Sequence, residues 1–117
     1  MRLLKVLGFL LVVTAISFAS ENKLGIHNVA KVNFASAVRV GATVIPAGEY
    51  TVRHTMEGED HIMTFTRPGK KDVFKVKCTL VALEHRASQD QQIVEISGNE
   101  RVLRELIFSG DSAKHVF

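Results

Sequence analysis

Cysteine is almost absent from this chain of 117 residues, in which Cys78 stands alone. One cysteine excludes an internal disulfide. A domain of this size does not need one, because it can bury a workable hydrophobic core. The lone thiol is buried and inert, reactive, or bridged to a second chain, and the sequence leaves these alternatives open.

Recognisable catalytic motifs are also absent. No serine lies in a G-x-S-x-G context, and the chain has no C-x-x-C and no glycine-rich phosphate loop. Cys78 falls within a predicted strand, away from any helix N-terminus that would lower its pKa. We therefore expect a protein that is not an enzyme and that carries no cofactor.

A strong charge of one sign is missing as well. The chain has 15 basic and 12 acidic residues, and Lys70 and Lys71 form its only adjacent basic pair. Removal of residues 1–19 would take away Arg2 and Lys5, which leaves a net charge of +1. A nearly neutral domain has no broad attraction for nucleic acid, so we expect no nucleic-acid partner.

The first 19 residues have the layout of a secretory signal peptide. A basic start is followed by an apolar run over 6–16 and by small residues at Ser17 and Ala19. The alternative is a retained membrane anchor, although the run is near the short limit for a span. We expect cleavage after Ala19, no stable membrane span afterwards, and one β domain over 20–117 that is secreted or periplasmic.

The rest of the chain alternates between apolar and polar residues with a period of two. This pattern and the many β-branched and aromatic residues predict strands. The clearest are 29–34, 50–56, 61–67, 73–83 and 91–97. Residues 101–108 fit either a strand or a short helix, and we favour the strand because eight residues make a marginal helix.

Two turns with an even number of residues, 57–60 and 68–71, fix how the central strands pair. In that register His54 faces Met63, and Phe65 faces both Val52 and Phe74. One face of the three strands is then apolar, and a one-residue slip would scramble it. Such a face needs a covering layer, so we predict an all-β, antiparallel β-sandwich or partly open barrel of about seven strands.

A resemblance adds to this prediction. The V-x-F strand at 32–34, the P-A-G-E-Y-T-V element at 46–52 and the ending R-E-L-I-F-S-G at 104–110 resemble uncharacterised small secreted bacterial all-β proteins. The resemblance implies an all-β fold and export, and it implies neither catalytic residues nor a ligand. Taken alone, Pro46 and Gly48 predict a sharp turn into a core strand.

The predicted register also brings soft donor groups to one sheet face, as imidazole, thioether and thiol side chains that suit copper(I). They are His54, Met56, His61, Met63 and Cys78. The same residues also suit an ordinary core, since methionine fills gaps and cysteine is commonly buried.

Two functions follow. The first is an exported, non-catalytic binding or structural module of the cell envelope, with an unknown protein or a small apolar ligand as its partner. The alternative is a periplasmic copper-binding protein. The ligand, the oligomeric state and the choice between periplasm and medium stay open at this point.

Overall fold

A computed structural model describes residues 25–117, so the predicted signal peptide at 1–19 lies outside the described residues. Within that range the chain forms strands and no helix. The strands are β1 (Val29–Phe34), β2 (Val38–Val40), β3 (Thr43–Ile45), β4 (Gly48–Glu57), β5 (Asp60–Thr66), β6 (Val73–Ala82), β7 (Gln91–Ser97), β8 (Glu100–Ile107) and β9 (Ala113–Val116).

The all-β prediction is confirmed, and so is the strand at the end of the chain that could have been a helix. The predicted number of about seven strands is too low, because the described residues form nine. The sequence missed β3 and β9, which have three and four residues. Segments this short do not show a clear period of two.

The predicted register of the central strands is confirmed. In the pairing of β4 with β5, Val52 lies opposite Phe65 and His54 lies opposite Met63. In the pairing of β5 with β6, Phe65 lies opposite Phe74 and His61 lies opposite Cys78. The two faces follow the prediction with two departures: Ile62 is buried although it lies on the mainly polar face, and Met56 is exposed although it lies on the apolar face.

Strand β6 joins two halves of one sheet. Its residues 73–78 pair with β5, and its residues 79–82 pair with β9. The strand order is β1-β4-β5-β6-β9-β8-β2-β3, and β7 is added on β8. The sheet bends so that both halves face one core, and it does not close into a barrel.

The prediction of a purely antiparallel sheet is wrong at one point. Strand β2 runs parallel to β8, with Arg39 opposite Val102. A hairpin forces neighbouring strands to be antiparallel. No hairpin links β2 to β8, which are separated by five other strands along the chain, so nothing local fixes their direction.

The core lies between the two halves. Three rings from the first half, those of Phe34, Tyr50 and Phe65, pack with centroids 5.8 to 6.4 Å apart. They belong to the same buried cluster as aliphatic side chains from the second half: Val38, Val40, Ile45, Leu103 and Leu106. Both inner faces therefore contribute to one core, as in sandwiches.

The P-A-G-E-Y-T-V element forms the corner before β4. The Tyr50 hydroxyl donates a hydrogen bond of 2.7 Å to the Pro46 carbonyl. The Arg67 guanidinium lies 5.6 Å from the centre of the Tyr50 ring and pairs with Asp72 at 3.3 Å. These contacts give the element a structural role, because they fix the angle at which the chain enters a core strand.

Candidate functional site

The five predicted metal ligands do not share one environment. His54, Met63 and Cys78 are buried, and His61 is half-buried. Met56, near the end of β4, is 42% exposed. The structure therefore separates Met56 from the buried side chains.

Four side chains form what we call the histidine cluster: His54, His61, Cys78 and His115. The Nε2 atom of His54 lies 2.9 Å from Nδ1 of His61, and the two rings stack at 5.1 Å. The His115 ring is 5.7 Å from that of His54, and its Nδ1 atom is 3.9 Å from Cys78 Sγ. Strands β4, β5, β6 and β9 each supply one member.

His115 is the member that sequence reasoning missed, since its place near the chain end suggested no role. It is fully buried, and the ring of Phe108 meets it edge-on at 5.6 Å. The sequence held one signal for this: Ala113 and His115 alternate with Lys114, as the inward and outward residues of a strand do. Only the pairing of β9 with β6 and β8 shows that this short strand enters the core.

Burial keeps two members of the cluster, His115 and Cys78, uncharged at neutral pH. Burial, and then the charges of His54 and His61, lower the pKa of His115 to about 4. Burial also raises the pKa of the Cys78 thiol to about 11. The thiol is therefore protonated at neutral pH and poorly nucleophilic, and its S–H is positioned to donate to His115 Nδ1.

The cluster reaches the surface through a shallow cavity of about 220 Å³. His61 and Cys78 line it from inside, and Asp60 and Lys77 lie at its rim. Across residues 25–117, no group of three or more His, Cys, Asp or Glu side chains is arranged to hold a metal ion. In the observed geometry the cluster is a hydrogen-bonded core element with one face near solvent.

A second buried polar group is centred on Asp111. The buried carboxylate of Asp111 accepts hydrogen bonds from the backbone N–H of His27 at 3.1 Å and from His27 Nδ1 at 2.6 Å. Burial raises the pKa of Asp111, while its bonds to His27 oppose that rise. The backbone of Asp111 and Ser112 also bonds to Ala87 and Gly25. Asp111 therefore anchors the start of the described chain to the turn before β9.

The third feature is a gap between β1 and β7, which we call the seam. Among residues 25–117, β1 pairs only with β4 and β7 pairs only with β8, so each has an edge that no described strand occupies. Two cavities, of about 380 and 260 Å³, lie between them and share Asn33 and Gln92. The apolar lining includes Val32, Phe34, Val38, Val94, Leu106 and Phe108.

Hydrogen bonds show which backbone groups of β1 face the seam. The Asn28 carbonyl accepts from the His54 N–H on β4, at 2.8 Å. The Asn33 carbonyl instead accepts from the Gln92 side-chain amide, at 2.9 Å. Because backbone groups alternate in direction along an antiparallel strand, Val29, Lys31 and Asn33 direct their N–H and C=O groups into the seam.

Comparison of the chain with protein-family models, with curated proteins and with solved structures found no match. In the part of the chain that the structure describes, no helix is long and apolar enough to span a membrane.

Proposed function

We propose that this protein is an exported, non-catalytic binding module that holds its ligand in the seam. One observation carries the proposal: two free strand edges face each other across an apolar floor and do not pair. Buried apolar floors with a few polar groups at the rim are typical of ligand sites. The signal-like pattern of residues 1–19 and the resemblance to small secreted bacterial proteins support export.

The other polar groups support binding more than catalysis. The Cys78 thiol is held in its neutral form, and the buried carboxylate of Asp111 is engaged by His27. Both groups have structural partners within the core. The seam, in contrast, offers backbone groups and apolar surface to a molecule from outside.

A photo-crosslinking experiment tests this proposal. A benzoylphenylalanine residue replaces Gln91, which lines the seam, and in a control it replaces Thr64 on the opposite sheet face. The full chain is expressed in cells that export it, and the culture is irradiated. We expect a discrete adduct at position 91 and none at 64. Absence of adducts at 91, or equal labelling at both positions, would refute a binding role for the seam.

A second candidate function is the binding of a soft metal ion such as copper(I) by the histidine cluster. The 3.9 Å distance between Cys78 Sγ and His115 Nδ1 favours it, because one ion can bridge two such donors at bond lengths of about 2.0 to 2.3 Å. With no preformed group of three donors among residues 25–117, the ion would take two ligands or draw in a rotated His61.

Anaerobic titration of copper(I) against a chromophoric chelator tests the second candidate. We expect Cys78→Ser to lower copper affinity at least tenfold and Met56→Leu to leave it unchanged, since Met56 is exposed and apart from the cluster. Copper binding in the original protein that is too weak to compete with the chelator, or that Cys78→Ser does not alter, would end this proposal.

A further inference from the structure

We infer that the ligand of the seam is an extended, acidic peptide segment that inserts as an additional strand alongside β1. This inference rests on the proposed function and names the class of its partner. It is drawn from the unpaired backbone of β1, from the Gln92 side chain that spans the seam and from the charges along it.

The unpaired backbone groups of β1 favour a peptide as the ligand. Val29, Lys31 and Asn33 each present one N–H and one C=O to the seam. An incoming strand offers matching groups in a matching alternation, as in strand addition to sheet edges generally. A lipid chain would fill the apolar floor but would leave these backbone groups without partners.

A side chain spans the seam where no strand does. Strands β1 and β7 do not pair, and the Gln92 side chain bridges them by bonding to the Asn33 carbonyl. The Gln92 amide thus occupies the position that a backbone N–H of the inserted strand would take.

The apolar floor of the seam favours a segment with an apolar residue at every second position. Val32 and Phe34 point inward from β1, and Leu106 and Phe108 lie beneath the gap. An inserted strand directs every second side chain toward this floor and the others toward solvent. The segment that fits is therefore apolar at alternate positions.

The charges along the seam indicate the net charge of the segment. Lys31 and Arg101 line the seam, and neither makes an ion pair with another residue within 25–117. The one carboxylate in the lining, Asp90, already accepts a 2.7 Å hydrogen bond from the Ser109 N–H. Two cations without ion-pair partners favour a segment with negative charge, with an acidic side chain near Arg101.

The test uses an immobilised array of ten-residue peptides with isoleucine, valine or phenylalanine at alternate positions. Matched sets carry net charges of −2, 0 and +2, and scrambled peptides of the same composition break the alternation. The probe is the purified protein produced from the full chain. We expect binding to the acidic alternating set, and at least tenfold weaker binding to the basic and scrambled sets.

Two variants at Lys31 separate the backbone from the charge. Lys31→Pro removes an N–H that faces the seam and leaves every hydrogen bond between β1 and β4 in place. Proline is tolerated on edge strands. We expect Lys31→Pro to abolish peptide binding, whereas the control Lys31→Ala weakens it only a fewfold. Equal binding by both variants would contradict strand addition.

A third variant keeps the test informative if Lys31→Pro does not fold. Gln92→Ala removes the side chain that competes for the Asn33 carbonyl, so we expect it to bind the acidic peptides severalfold more tightly. Weaker binding would overturn the inference. A crosslinked lipid or small molecule at position 91 would also overturn it, while leaving the proposed function intact.

Discussion

At the scale of single residues, His115 shows how a polar group can be held in an apolar core. Its Nδ1 atom contacts Cys78, whereas its Nε2 atom is buried with no hydrogen-bond partner among the described residues. The groups that face it are His54, His61, Cys78 and Phe108, and none of them is an anion that would stabilise a charged imidazole. Protonation of the His115 ring therefore destabilises the folded state.

The pH dependence of stability follows with a definite sign. The pKa of His115 is about 4 in the folded protein and 6.5 in the unfolded chain, so the unfolded chain binds the proton first. Stability should fall as the pH drops from about 6.5 to about 4, by at most about 3 kcal/mol from this residue.

Urea unfolding at pH 7.5, 5.5 and 4.5 measures this loss. His115→Leu should flatten the profile, while His85→Gln, at an exposed histidine, should not change it. A stability of the original protein that is constant across this range would contradict the buried, neutral state of His115.

The Tyr50 hydroxyl gives a second prediction at this scale. Tyr50→Phe removes the hydrogen bond to the Pro46 carbonyl and leaves the ring packing in place. We expect a loss of about 1 kcal/mol in the free energy of unfolding, the usual net value of such a bond. The measurement is the urea midpoint at an unchanged m-value. An unchanged midpoint would mean that the hydroxyl does not hold the corner.

At the scale of elements, tight turns fix the register of this sheet. The loop between β4 and β5 is Gly58-Glu59, and Gly58 has φ of +66°. The loop between β7 and β8 is Gly98-Asn99, with Gly98 at +63°. Glycine at the first position of a two-residue hairpin supplies the positive φ that the turn needs.

Gly58→Ala tests the first of these turns. A Cβ atom at Gly58 would meet nothing within 4 Å, so the cost of the substitution is conformational only. We expect a destabilisation of about 1 kcal/mol from the left-handed backbone. Glu59→Ala, at the neighbouring position with negative φ, should change stability by less than half of that amount. Equal effects in thermal unfolding would contradict the assigned turn.

The same turns explain how much of the fold the sequence could predict. The register of β4, β5 and β6 was predictable because each pairing spans a short turn and one face is apolar throughout. The pairings of β2 with β8 and of β6 with β9 join distant segments, and no local pattern encodes them. His115 and the seam depend on those pairings, so the predicted site had His54, His61 and Cys78 but lacked His115 and included Met56.

At the scale of the whole molecule, the sheet bends around one core and does not close, because β1 and β7 do not pair. Strand β7 has exposed Ile93 and Ile96 and contains neither lysine nor proline, which commonly protect free edges. Strand β1 carries Lys31 on its edge, and Gln92 covers one of its carbonyl groups. The free edges of β1 and β7 therefore face each other across a surface that suits an additional strand.

Residue-resolved hydrogen exchange of the β1 amides tests this central claim most directly. We predict that the N–H groups of Val29, Lys31 and Asn33 exchange fast, while those of Ala30, Val32 and Phe34, which face β4, exchange slowly. An acidic alternating peptide should then protect the fast set and leave the slow set unchanged. Uniform protection along β1 without peptide, or no added protection with peptide at concentrations where it binds, would contradict an open strand edge in the seam.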